Sequence, residues 1–193
     1  VAETVATGGV PSDSYDIEAA FFRAARAGEE RLQPDARVAP GDELFLKLKA
    51  SVPVHVYVVN EDDRGAAYLL FPLPGARLTN PLPAGQLVTV PGSDRWRVTT
   101  PGDREHFVVF ASPKPVESLD KAFAQLPIPR VGTPVSSVAM TRTDVERLRG
   151  VGGLTAAPAA EGPGGRLARL FTIPLTEERE HPSGLWIRQI TLD

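Results

Sequence analysis

The chain of 193 residues contains no cysteine, which removes disulfides and thiolate metal sites from consideration. The absence does not fix a compartment. No apolar run approaches the ~18 residues a membrane-spanning helix needs, and no signal-peptide pattern is visible. Excess charge is missing too. The formal net charge is -3, with acids and bases mixed along the chain. That lacks the basic footprint of a nucleic-acid binder, so no nucleic-acid partner is expected. No membrane contact by this stretch is expected either. The chain begins at Val1, so it reads as a processed or excised piece, which leaves room for a targeting segment or membrane anchor ahead of it. No internal repeat of solenoid or propeller period is present.

Catalytic patterns are missing as well, and an enzyme is not expected. No serine sits in a G-x-S-x-G elbow, and Gly92-Ser93-Asp94 lacks the strand–helix context. Gly150-Val151-Gly152-Gly153 lacks the Lys-Ser/Thr pair of a phosphate loop. The acidic stretch Asn60–Gly65 fails as a calcium loop, because Arg64 and Phe71 stand where oxygen ligands belong. It reads as a hairpin turn. His55, His106 and His181 show no ligand spacing with one another. His55 and His106 fall on expected strands as candidate neighbours across a sheet, in structural roles. Catalytic, cofactor and metal sites are therefore all expected to be absent. Glu177–Glu180 reads as a solvated loop.

What the sequence does contain is strand pattern. A chain of this length can bury about 70% of its unfolded surface, so it needs no staples. Leu44, Leu46 and Leu48 alternate with charged residues, the period of a strand with one wet face. Phe45 interrupts the polar face and implies that face is partly covered. Val54–Val59 is β-branched and nearly continuous in apolarity, as in a central strand. The run Ala66–Phe71 returns, and Pro72 ends it. Residues 41–72 thus supply the centre of the core. Residues 1–14 read as a linker or disordered arm. Tyr15–Leu32 has helix-forming composition, but Ile17, Ala19 and Phe21 alternate and Ala27-Gly28 can turn a hairpin. Strand–turn–strand is preferred over helix there, mainly on the family resemblance given below.

Further strands are expected at Gln86–Val90, Trp96–Thr99, His106–Ser112, Leu167–Ile173 and Leu185–Leu192. Two short helices are expected late, Pro115–Leu126 and Thr143–Arg149. The first has an apolar stripe; the second has the capping pair Thr143 and Glu146. Short strands at this spacing predict one mainly β domain over 15–193, a β-sandwich of immunoglobulin-like kind, with an open barrel second.

The order of turns and strands resembles the bacterial family called domain of unknown function 4384. Its carriers are Val38-x-Pro40-Gly41-Asp42-x-Leu44, Val56–Asn60, Asp62-x-x-Gly65, Leu70-Phe71-Pro72, Asn80-Pro81-Leu82-x-Ala84-Gly85, the strand ending at Pro91, and Phe107–Ser112 with Lys114-Pro115. The resemblance covers roughly 37–123. It implies an extracytoplasmic accessory module, in the periplasm or at the cell surface, attached to a bacterial signalling protein, with the flanks resembling an anti-sigma-factor-like context. It brings no catalytic or ligand residues. The expected function is non-enzymatic sensing or binding of a protein or envelope ligand. The alternatives are a structural or protein-interaction module without a ligand, and a carbohydrate-binding module.

The expected recognition surface centres on the proline-rich loop 73–85, since long loops on rigid scaffolds often carry binding. Its candidate residues are Leu73, Arg77, Leu78, Asn80, Leu82, Trp96 and Trp186. In the competing reading, which is the preferred one, Leu73, Leu78 and Leu82 pack over an open end of the sandwich. Likewise the two tryptophans are expected to plug the core, the alternative being a stacking or anchoring face.

Overall fold

The computed structural model describes residues 14–62, 67–98, 104–124, 138–140, 179, 180, 182 and 184–193. Its elements are β1 (Ile17–Ala25), β2 (Gly28–Arg31), β3 (Glu43–Ala50), β4 (His55–Asp62), β5 (Ala67–Phe71), β6 (Val88–Val90), β7 (Trp96–Arg97), β8 (Glu105–Ser112), α1 (Glu117–Ala124), β9 (Val138–Met140), β10 (Arg179–Glu180) and β11 (Trp186–Leu192). The protein is mainly β. One sheet runs β10-β1-β3-β6, with β2 also on β1 and β7 also on β3; the other runs β11-β8-β4-β5-β9. Every strand pair is antiparallel.

The two sheets face each other because each strand turns one parity of side chain inward. Ile17, Ala19 and Phe21 of β1 and Leu44, Leu46 and Leu48 of β3 are buried from one side. Val56 and Val58 of β4, Phe107 and Val109 of β8, and Trp186 and Ile190 of β11 meet them from the other. The Phe21 ring bridges the layers, 5.0 Å from Phe107 and 6.2 Å from Trp96. Each fully buried side chain of this kind contributes about 1.5–3 kcal/mol. Two polar contacts tie the layers at the β11 edge. The Tyr15 hydroxyl donates to Ala111 O (3.2 Å) and Gly184 O (3.0 Å). Arg188 Nη1 donates to Ala19 O at 2.6 Å, filling a stretch of the β1 edge between β10 and β2.

Tyr15–Leu32 forms the hairpin and not the helix. Gly28, at φ +131°, makes the turn, and Phe22↔Arg31 through Ala25↔Gly28 pair across it. Phe45 is fully buried although it points out of the sandwich. The Phe22 ring stacks on it at 5.7 Å, and the Arg95 guanidinium lies 4.3 Å over its face. Lys47, paired with Glu29, closes the cluster from 5.0 Å over Phe22.

Two expectations require correction, and one strand is new. Asn60–Asp62 are not turn residues. β4 continues through them, because β8 offers partners as far as Asp62↔Glu105. Arg179–Glu180 lie not in a solvated loop but in β10, paired with Ile17 and Glu18. The stretch Val138–Met140, which carried no expectation, adds a strand to β5. Of the two late helices, α1 is present. Thr143–Arg149, Gly150–Gly165, the strand Leu167–Ile173 and His181 lie outside the described residues, as do residues 1–13.

Candidate binding surface

One end of the sandwich gathers the bend 51–53, the start of β1, the end of β8 and the loop between β5 and β6. The registers Ile17↔Ala50 and His55↔Ser112 fix this meeting. The loop is held there by backbone geometry. Asn80 Oδ1 accepts from Val56 N at 2.9 Å and its Nδ2 donates to Val56 O at 3.0 Å. Its carboxamide therefore satisfies one residue of β4 much as a neighbouring strand would. Two residues on, Leu82 and Val54 exchange both backbone hydrogen bonds, at 2.8 and 3.2 Å. Gly85 N then donates to Ala50 O at 2.7 Å. Leu78 lies over Gly92, with its Cβ 3.5 Å from where a Gly92 side chain would begin.

These anchors decide the fate of the seven residues expected to form a recognition surface. Leu82, Trp96 and Trp186 are buried core. Trp96 Nε1 donates to Leu70 O at 3.3 Å. Neither indole offers a face for stacking a sugar, so both rings fill the interior. Asn80 is committed to the backbone of Val56. Leu73 and Leu78 are half-buried, and Leu78 packs against the core. Arg77 is exposed. The structure adds a residue that sequence reasoning missed. Leu87 is 63% exposed, the one large hydrophobic so exposed among the described residues. A leucine ahead of a short strand resembles a core residue in sequence. Only the register reveals that its parity, shared with Thr89 opposite Lys47, points outward.

Lys49 shares the outward parity of Lys47 on β3 and stands directly opposite Glu18 of β1. Lys49 also lines a cleft of about 160 Å³ with Asp16, Ile17, Glu18, Ala50 and Ser51. Its rim is closed by Ser51, whose Oγ accepts from Asp16 N at 2.8 Å.

The opposite end carries a second polar cluster. Glu61, His106 and Thr191 form a row across β4, β8 and β11, set by Glu61↔His106 and Thr191↔His106. His106 Nδ1 lies 3.0 Å from Thr191 Oγ1. Glu61 and His106 are buried. Sealed in this way, the row secures β11 to the sheet. His55 is not its neighbour. It pairs with Ser112, six residues and roughly 20 Å along β4 from Glu61. On the other face of the same end, Asn60 Nδ2 donates to Glu105 Oε2 at 2.8 Å. Among the described residues no cluster of three His, Asp or Glu side chains is arranged to hold a metal ion.

Residues 37–115 match the family model described as Domain of unknown function (DUF4384). The match supports the resemblance carried by the turn and strand signals, and it ends at Pro115, ahead of α1 rather than after it. No curated protein and no solved structure matches the chain. The matched span supplies β3 to β8. The strands β1, β10 and β11 lie outside it yet complete the same two sheets.

Proposed function

We propose that this protein is a non-catalytic binding module that engages a partner protein through the end bearing loop 72–87. One observation carries the reading. The loop is pinned to β3 and β4 by Asn80, Leu82 and Gly85, while Leu87, leading into β6, stays 63% exposed. A pre-ordered loop loses little entropy on binding, and an exposed apolar side chain supplies contact area. The extracytoplasmic setting, attached to a bacterial signalling protein, belongs to the same proposal and rests on the family resemblance.

The test is capture from envelope extract by the intact chain, by Leu87→Ser, and by a chain with loop 73–85 replaced by a Gly/Ser linker. Capture lost in both variants supports the reading. Equal capture by all three removes this end from consideration.

A further inference from the structure

Between β6 and β7 the chain leaves β3 and returns to it at one point. Val90 pairs with Leu46 and Trp96 pairs with Leu44, so residues 91–95 stand opposite Phe45 alone. Arg95 closes this excursion. Its Nη1 donates to Gly92 O at 3.1 Å and to Asp94 O at 2.7 Å, and the guanidinium lies 4.3 Å over the Phe45 ring. The side chain is thus held in place while only half-buried. Its hydrogen bonds are confined to Nη1. The other edge of the guanidinium, Nε with Nη2, donates to nothing among the described residues. That edge is the planar fork that matches the two oxygens of a carboxylate. The neighbouring cations already have carboxylates. Arg97 pairs with Glu43 directly opposite, and Lys47 pairs with Glu29. Arg95 has Phe45 opposite where Arg97 has a glutamate. It forms no ion pair among the described residues, and Asp94, beside it in the chain, is no exception.

We infer that Arg95 is a carboxylate-binding site on the outer face of the first sheet, and it serves whether or not loop 73–85 engages a protein. The Nε–Nη2 edge donates two parallel hydrogen bonds, one to each carboxylate oxygen. A single fork suits one negative charge spread over two oxygens, not a phosphate dianion. The Phe45 ring shields one face of the guanidinium from water, which strengthens a charged hydrogen bond at its edge. Ring and carbonyls already hold the side chain, so little freedom is lost when the ligand arrives. A free organic acid and an acidic side chain of a peptide present the same group.

The experiment follows the arginine Nε–Hε signals and the backbone amides of the intact chain by NMR. Sodium acetate is titrated in, with sodium chloride at matched ionic strength as the reference. Acetate should carry the Arg95 Nε–Hε signal to saturation in the millimolar range, and chloride should not. Arg95→Lys keeps the charge and removes the fork, so the acetate affinity read from the Gly92 and Ser93 amides should fall about tenfold. Arg97→Lys should leave that affinity unchanged, because Glu43 already occupies this cation. A short peptide with one glutamate among glycines is the second probe. Tighter binding than acetate assigns the carboxylate to a protein, equal or weaker binding assigns it to a free acid, and either supports the site. A drift that chloride reproduces in the native chain overturns the site whether or not the variants fold. Saturation that survives Arg95→Lys, or an equal loss in both variants, overturns it too. Saturation by inorganic phosphate at a lower concentration than acetate overturns the carboxylate as the ligand.

Discussion

The Tyr57 hydroxyl, at the tip of a fully buried side chain, donates to Asp120 Oδ1 at 2.6 Å and so fastens α1 to the outer face of β4. Burial is the main reason the phenol is pushed well above its ordinary value, with the Asp120 carboxylate adding to it.

Tyr57→Phe should therefore cost about 1–2 kcal/mol at neutral pH. It should also change the alkaline limb. A raised phenol contributes stability that is complete below its unfolded value near 10, and that is lost as pH climbs towards the folded value. Thermal unfolding at pH 8 and pH 11 should show a larger loss for the native chain than for the variant.

Asp42 makes the opposite prediction. Burial pushes its carboxyl up, yet the Ala39 N–H and the Arg23 guanidinium, each at 2.9 Å, together outweigh burial and hold it below its usual value. Its contribution is present above the unfolded value near 4 and is lost as pH falls through the lower folded value. Asp42→Asn should flatten the acid limb of a stability–pH curve. Both partners are partly exposed, so the cost at pH 7 should be about 1 kcal/mol.

Asn80→Ala should cost about 1–3 kcal/mol, because two hydrogen bonds to Val56 are lost and that backbone is only partly hydrated. The informative readout is local. Limited proteolysis should begin cutting within 73–86 in the variant at concentrations that leave the native chain whole.

Thr191→Val keeps the shape of the side chain and removes the hydroxyl beside His106 Nδ1. A buried imidazole nitrogen then loses its threonine contact, at a cost of about 1–3 kcal/mol. Hydrogen exchange should show the loss first in β11. Exchange that quickens equally in every strand would count against a local role for this row.

The strands were legible wherever one residue parity carried the apolar side chains. Leu44, Leu46 and Leu48 announce β3 because their alternation is the pleat itself. Asn60 and Glu61 hide the end of β4, since polar residues at a strand end read as a turn until the partner is known. β10 is two residues long and charged, so no pattern marks it. The candidate surface was half legible. Pro72, Pro74 and Gly75 mark an irregular loop, and Arg77 is exposed as a loop arginine should be. Which tryptophan or leucine faces water is set by register, which a single strand does not encode.

The position of β11 sets an order of events during synthesis. Trp186–Leu192 lies against β8, and Arg188 reaches β1, strands translated long before it. A nascent chain that has not yet delivered Trp186 presents the β8 edge bare, with Val108 and Phe110 at its margin. The growing polypeptide must shield that edge from its neighbours on other ribosomes until its closing strand emerges.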